Sequence, residues 1–139
     1  MATPVVQNHF RTNVLQGEHD FDNDTFKIAL SNAAIDANAD LSDVTQIAAG
    51  NGYVSGGTTL TVTLSTVSTN QAQVAVSDFT LTATGGSIPT FRYGLIYNDT
   101  NAGKLGCFSI DFGSGQTLAS GESRTFDFDT YLYLSKANT

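Results

Sequence analysis

The residues best suited to chemistry lie in one acidic run, EHDFDND, at positions 18–24. Within it Asp20, Asp22 and Asp24 alternate as the first ligands of a calcium-binding loop do. The rest of that motif is absent, because Thr25 occupies the position of its glycine and the bidentate glutamate is missing as well. We therefore predict no metal site and interpret the run as a solvated turn, with Asp side chains bonded to nearby backbone amides. Cation binding by this segment is the alternative.

Nucleophilic catalysis would require a base beside a serine or a cysteine. The two histidines, His9 and His19, lie near the N-terminus, far in sequence from the single cysteine, Cys107. The run Gly113-Ser114-Gly115 lacks the pattern of a nucleophile elbow, and we interpret it as a tight turn that closes a strand. Cys107 is expected to pack as a small, semi-buried side chain. We therefore predict no catalytic residue and no enzyme.

Paired carboxylates and phosphate cradles are also missing. Asp111, Asp127 and Asp129 fall at outward positions of predicted strands, where they would keep sheet edges soluble rather than face each other across a cleft. The glycine-rich stretch 50–57 contains no lysine and precedes no helix, so it does not resemble a phosphate loop. No cofactor is predicted.

The elements that would position these residues are mainly strands. Apolar and polar side chains alternate with a period of two in short segments bounded by turn residues, at 25–30, 59–64, 74–76, 79–84, 91–98, 105–112, 124–129 and 131–135. The stretch 39–49 has helical spacing, with Asp40 or Ser42 as N-cap and Gly50 as a stop. The segment around residues 9–15 fits a helix or a strand.

This pattern predicts an all-β fold, an antiparallel β-sandwich with at most one short helix. Long connections such as residues 31–57 favour Greek-key or jelly-roll crossings, so a jelly roll is the expected form. The length of 139 residues fits a single domain spanning residues 1–139.

The composition limits the classes of partner. The formal net charge is −7, and the six lysines and arginines are scattered, which argues against binding to nucleic acid or to an anionic membrane. No apolar run approaches the length of a membrane span. The N-terminal sequence MATPVVQNHF lacks a basic start followed by an apolar stretch, so we expect no secretory signal and synthesis in the cytoplasm.

Four blocks carry a resemblance to a known family: HDFDNDTFKIAL (19–30), DVTQIAAGNGYVSGG (43–57), FRYGLIYNDT (91–100) and ESRTFDFD (122–129). Their order and spacing resemble the capsid cement, or decoration, proteins of tailed bacteriophages, of the type found on a short-tailed Bordetella phage. The resemblance covers about residues 17–129. It implies a jelly-roll subunit that oligomerises on the outside of the virion capsid and bridges neighbouring copies of the major capsid protein. It carries no catalytic motif.

We predict two contact regions for such a role. One is the N-terminal segment, with residues 1–16 as an extended or helical contact arm; the alternative is a fraying terminus. The other is the loop 51–58, where Tyr53 would be a surface aromatic; the alternative is a core plug. Tyr131 and Tyr133 are candidates for an oligomer contact or for a pairing edge strand. The candidate contact residues are Val5, Val6, Phe10, Val14, Leu15, Tyr53, Tyr131 and Tyr133.

Two other functions stay open on the sequence. A different virion component, such as a tail or fibre-base protein, would be present in few copies per particle. A carbohydrate-binding β-sandwich module would need exposed aromatic side chains arrayed on one face. For self-association we expect a dimer over a trimer, because dimers are the commoner form.

Overall fold

The computed structural model describes residues 4–68, 71–128 and 132–135. Within these ranges, ten strands and one short helix follow in chain order, with a 3-10 turn at Leu41–Asp43. The elements are β1 (Val5–Val6), α1 (Phe10–Leu15), β2 (Phe26–Ser31), β3 (Thr58–Leu60), β4 (Val62–Ser68), β5 (Gln71–Val76), β6 (Phe79–Thr82), β7 (Ile88–Asn98), β8 (Gly106–Leu118), β9 (Ser123–Phe126) and β10 (Leu132–Ser135).

The strands form three antiparallel sheets. The largest has the order β1-β8-β7-β2-β3, a second has the order β10-β5-β4, and β6 pairs with β9. The chain passes from the first sheet to the second at Thr61, which separates β3 from β4. The predicted strand 59–64 is therefore two strands, and Leu64, expected to face inward, is 40% exposed.

One hydrophobic core joins the sheets. Its members come from the inner face of the five-stranded sheet, from β5 and from the β6–β9 pair, and include Ile28, Phe91, Ile110, Val74 and Phe126. Phe79, Leu81 and Ala83 are buried while the threonines between them are exposed, as the alternation predicts. The prediction of an antiparallel all-β sandwich is confirmed. The described strands are distributed over sheets of five, three and two, and the narrower jelly-roll form stays a prediction.

The connection between β2 and β3 covers the second face of the large sheet. Ala29, Leu95 and Tyr97 are fully buried there, and Ile35, Leu41 and Val44 pack against them. Because both faces are covered, β2 and the end of β7 have no exposed side, and their side chains do not alternate in burial.

The helix predicted over residues 39–49 is wrong. Only Leu41–Asp43 turns, and Val44 is already extended, with φ −91° and ψ 122°. Gln46 then bridges Ser31, and the backbone N–H of Ile47 donates to the carbonyl of Leu30 at 3.0 Å. Pairing with β2 satisfies the backbone there and replaces the local helical bonds.

The Gly113–Gly115 run does not end a strand either. β8 continues through it to Leu118, and the positive φ of Gly113, 88°, lies where the register with β7 shifts between Phe91 and Tyr93. The glycine therefore allows a bulge within a long strand. Among the residues that the structure describes, no helix is long and apolar enough to cross a membrane.

Candidate interaction surface

The N-terminal segment, residues 4–17, lies against the sandwich as a strand followed by a helix; we call it the arm. β1 extends the large sheet at its edge, with Val5 opposite Ser109 and Val6 opposite Phe108. The pairing continues beyond β1, because the backbone N–H of Gln7 donates to the carbonyl of Cys107 at 2.9 Å. Both conformations considered from the sequence, extended and helical, are thus present in succession.

The helix α1 fixes the arm through its buried side chain. Phe10 is fully buried, and its ring lies 5.4 Å from that of His19, 5.9 Å from that of Phe21 and 5.0 Å from that of Phe108, centroid to centroid. Within the single chain the side chain of Phe10, one of the predicted contact residues, belongs to the core and is not on the surface. A residue four positions along the same helix face, Val14, is half-buried.

A polar contact connects the arm to the 3-10 turn. His9 Nε2 lies 2.9 Å from Asp40 Oδ1, and the same oxygen accepts a hydrogen bond from the backbone N–H of Gly106 at 2.9 Å. Both side chains are about a quarter exposed, at 25% and 29%, so water screens the pair and its contribution to stability is modest.

The outer side of the arm leaves apolar side chains in solvent. Val5 is 63% exposed and Leu15 is 88% exposed. Next to the end of α1 an open groove of about 420 Å³ separates the arm from the sheet that contains β4 and β5. Its mostly apolar wall consists of Val14, Gly17, His19, Asp20, Phe21, Leu64, Ala72 and Val74. Arm and groove together make a surface suited to contact with another protein.

The second predicted contact region has a different role. Tyr53 is 2% exposed, and its hydroxyl accepts a hydrogen bond from the backbone N–H of Leu30 at 3.0 Å and donates to Gln46 Oε1 at 2.9 Å. Burial raises its pKa. The prediction of Tyr53 as a surface contact is corrected, and the core-plug alternative describes it. Tyr131 and the side chain of Tyr133 lie outside the described part of the chain.

The acidic run forms the turn expected from its sequence. Asp20 Oδ1 accepts hydrogen bonds from the backbone N–H groups of Asp22 and Asn23, at 3.0 and 3.3 Å. The Asn23 side chain and these amides hold the pKa of Asp20 below its ordinary value. Asp24 Oδ2 accepts a hydrogen bond from the backbone N–H of Asp20 at 3.0 Å and another from the side chain of Asn98 at 2.7 Å, so it joins the turn to the end of β7. Within the described ranges, no three His, Cys, Asp or Glu side chains are grouped as a metal site.

A buried polar cluster beneath the arm is the feature that the sequence did not reveal. The side-chain amide of Asn98, which is fully buried, donates to Asp24 Oδ2 and to His19 Nδ1, the latter at 3.2 Å. The sulfur of Cys107 lies 3.9 Å from His19 Nε2. From the sequence we expected no histidine near Cys107, because both histidines lie far from it along the chain. The position of His19 corrects this expectation. No local pattern could have revealed this contact, because β8 brings the two residues together across 88 positions.

The environment keeps the Cys107–His19 pair neutral. Burial raises the pKa of the Cys107 thiol and lowers the pKa of His19 from its ordinary value of 6.5. A nucleophilic cysteine needs the opposite shifts, towards thiolate and imidazolium, and it needs access to substrate. Cys107 is fully buried, so the geometry favours a packing role for the pair.

Comparisons with protein-family models, with curated proteins and with solved structures find no match to this chain.

Proposed function

We propose that this protein is a virion structural protein that binds the outside of a phage capsid and cements neighbouring copies of the major capsid protein. The proposal starts from the resemblance of four sequence blocks to capsid cement proteins. The observation that favours it in three dimensions is the arm, which exposes the apolar side chains of Val5 and Leu15 and contributes Val14 to the wall of an open, mostly apolar groove.

The resembling blocks belong largely to one packed unit. Blocks 19–30 and 91–100 contain most of β2 and of β7, which pair from Phe26 opposite Asn98 to Ser31 opposite Tyr93. Block 43–57 covers them, and the hydroxyl of Tyr97 donates to the carbonyl of Gly56 at 2.5 Å. The resemblance therefore concerns the scaffold, and the scaffold is what a cement subunit must keep rigid while its surface contacts the shell.

Many weak contacts would suffice for this role. A subunit or oligomer that touches several capsid proteins gains affinity because each contact after the first is effectively intramolecular. An exposed side chain such as Leu15 contributes little to the free subunit and becomes favourable only when a partner covers it. The arm is therefore the contact region that we assign to the capsid.

The described aromatic side chains give little support to a carbohydrate-binding module. Tyr53 and Tyr97 are buried, and Tyr93 is half-buried with the guanidinium of Arg92 5.3 Å from its ring centre. A sugar platform needs open aromatic faces, so a virion protein fits the described surface better. A tail or fibre-base protein would use the same surface and differs in copy number.

Copy number separates these possibilities. We expect mass spectrometry of purified particles from the source of this sequence to give hundreds of copies, comparable to the major capsid protein. A handful of copies would assign the protein to the tail or fibre base. Absence from the particle, together with binding on a glycan array, would replace the virion proposal by the carbohydrate-binding one.

The arm contact has a matched pair of variants. Val5→Asp and Val54→Asp place the same charge at valines of similar exposure, 63% and 68%, one on the arm and one on the loop 51–58. Because a charge is costly to desolvate in an apolar contact, Val5→Asp should weaken binding to undecorated capsids by roughly tenfold or more, measured by co-sedimentation. Val54→Asp should bind as the unmodified protein does. Undiminished binding of a folded Val5→Asp variant would contradict the arm contact.

A further inference from the structure

The arm is a separable unit that a single reversal joins to the sandwich. The backbone N–H of Glu18 donates to the carbonyl of Asn13 at 2.9 Å, and that of Gly17 donates to the carbonyl of Val14 at 3.1 Å. These two bonds form a Schellman motif, in which a left-handed glycine ends the helix. Gly17 has φ +80°, and a side chain there would meet open space. The direction in which the arm leaves the body therefore depends on one left-handed residue.

The body is incomplete without an arm. If the arm left, the rings of His19, Phe21 and Phe108 would lose the buried Phe10 between them, and the edge of β8 would lose its neighbour. An identical arm from a second copy would make the same ring contacts and the same strand pairing. The two arrangements therefore differ mainly in the hinge and in the cost of association.

The closed arm also contains polar atoms that lack partners. Gln7 Nε2, His9 Nδ1 and Asn13 Nδ2 are buried and have no hydrogen-bond partner, and all three belong to the arm. Gln7 is only 1% exposed. Opening the arm returns these donors and acceptors to water, which lowers the cost of opening relative to a fully satisfied segment. The contacts of Phe10 that are lost on opening are regained when an identical arm docks in its place, so an opened arm can be exchanged.

We propose that the arm is exchanged between two copies of this chain, so that residues 4–16 of each copy complete the core and the sheet edge of the other. The product is a two-fold symmetric dimer in which Phe10 of one copy packs among the aromatic rings of its partner. This inference concerns self-association and does not depend on capsid binding.

Cross-linking between differently marked chains tests the exchange. Val5 and Ser109 lie directly opposite each other in an antiparallel pair, a spacing that a disulfide can bridge. Chains carrying Val5→Cys are mixed with chains carrying Ser109→Cys, unfolded, refolded together and oxidised. Exchange should produce the mixed covalent dimer in clear excess over both homodimers, as measured by mass spectrometry. A mixed dimer no more abundant than random pairing would overturn the proposal.

The unmodified dimer and the hinge give a second, independent readout. Light scattering across a range of concentrations should show a dimer for the unmodified protein, and a monomer at every concentration would overturn the exchange. The hinge is tested by a substitution at its left-handed residue. Gly17→Ala disfavours the left-handed reversal and favours a straight helix, so it should lower the dissociation constant of the dimer by roughly tenfold. Gly121→Ala is the matched control, because Gly121 has φ +89° with open space around it and lies outside the hinge. Equal dissociation constants for the two folded variants would contradict the role of the hinge.

Discussion

Asn98 connects more of the molecule than any local feature of its sequence suggests. Its amide group donates to Asp24 Oδ2, to His19 Nδ1 and to the carbonyl of Glu18, while its Oδ1 accepts from the backbone N–H of Thr100. One buried side chain thus joins the end of β7 to the acidic turn and to the ring on which Phe10 packs. Its N–H groups face the surrounding acceptors, so this position favours an amide over a carboxylate.

The isosteric change Asn98→Asp tests this requirement. A carboxylate would place an oxygen acceptor where the amide nitrogen now donates, against the carboxylate of Asp24, while its other oxygen would accept as Asn98 Oδ1 does now. We expect the free energy of unfolding to fall by at least about 1–3 kcal/mol, the cost of buried groups left without their hydrogen bonds. Asn101→Asp is the control, since Asn101 also donates to Glu18 but is only half-buried, whereas Asn98 is fully buried. Urea denaturation that shows equal losses for the two variants would contradict the importance of the buried cluster.

At the scale of elements, the connection between β2 and β3 behaves as a fixed cover. Tyr53 bonds to the backbone of β2, and Gln46 bonds to the backbone of the loop itself. The Tyr97 hydroxyl donates to the carbonyl of Gly56, and burial raises the pKa of Tyr97 to about 12. The cover approaches the sheet closely at Gly57, where a Cβ atom would lie 1.8 Å from the carbonyl oxygen of Ile28. This close approach requires a residue without a side chain.

Two glycine variants separate backbone strain from close approach. Gly57 and Gly85 both have positive φ, 89° and 74°, but a Cβ at Gly85 would meet nothing within 4 Å. Gly85→Ala should therefore cost only the left-handed conformation, about 1–2 kcal/mol. Gly57→Ala must also displace the backbone of β2, which should bring the total loss to about 3–5 kcal/mol. Thermal or urea unfolding measures both, and equal losses would show that the cover is not in tight contact with the sheet.

At the scale of the whole molecule, stability should depend on pH because the arm packs on a neutral histidine. Burial lowers the pKa of His19 below 6.5, although the charges of Asp24 and Glu18 oppose the shift. Protonation at Nδ1 would also place a donor against the Asn98 amide. Between the two pKa values the unfolded chain binds more protons than the folded chain, so acid favours unfolding.

We therefore expect the free energy of unfolding to fall as the pH decreases from 7.5, beginning near the unfolded-state pKa of 6.5. The slope due to one histidine is at most about 1.4 kcal/mol per pH unit. His19→Asn should flatten this part of the profile, whereas His9→Asn should keep it. The measurement is urea denaturation at half-unit steps from pH 7.5 to 5, and an unchanged slope in His19→Asn would assign the dependence to other groups.

The strand content and its inward faces follow from local patterns, and the sequence alone predicted them. The alternation of apolar and polar residues correctly predicted four buried side chains. These are Phe79 and Leu81 on β6, Phe126 at the end of β9, and Phe128 just after it. The hydrogen bonds of Asp20 within its own turn were predictable for the same reason, because they reach only two or three residues along the chain. The functional role in a capsid stays a prediction.

The tertiary structure decided everything that depends on partners distant in sequence. Residues 39–49 have helical spacing, but this segment pairs with β2 instead of forming a helix. Tyr53 points inward, where its hydroxyl accepts a hydrogen bond from the backbone N–H of Leu30. Cys107 contacts His19 only because the fold places the acidic turn beside β8, across 88 positions of the chain. The sequence does not distinguish an apolar side chain that is buried in the core from one that is exposed on the surface. Only the packing distinguishes the buried Phe10 from the exposed Leu15 of the same helix.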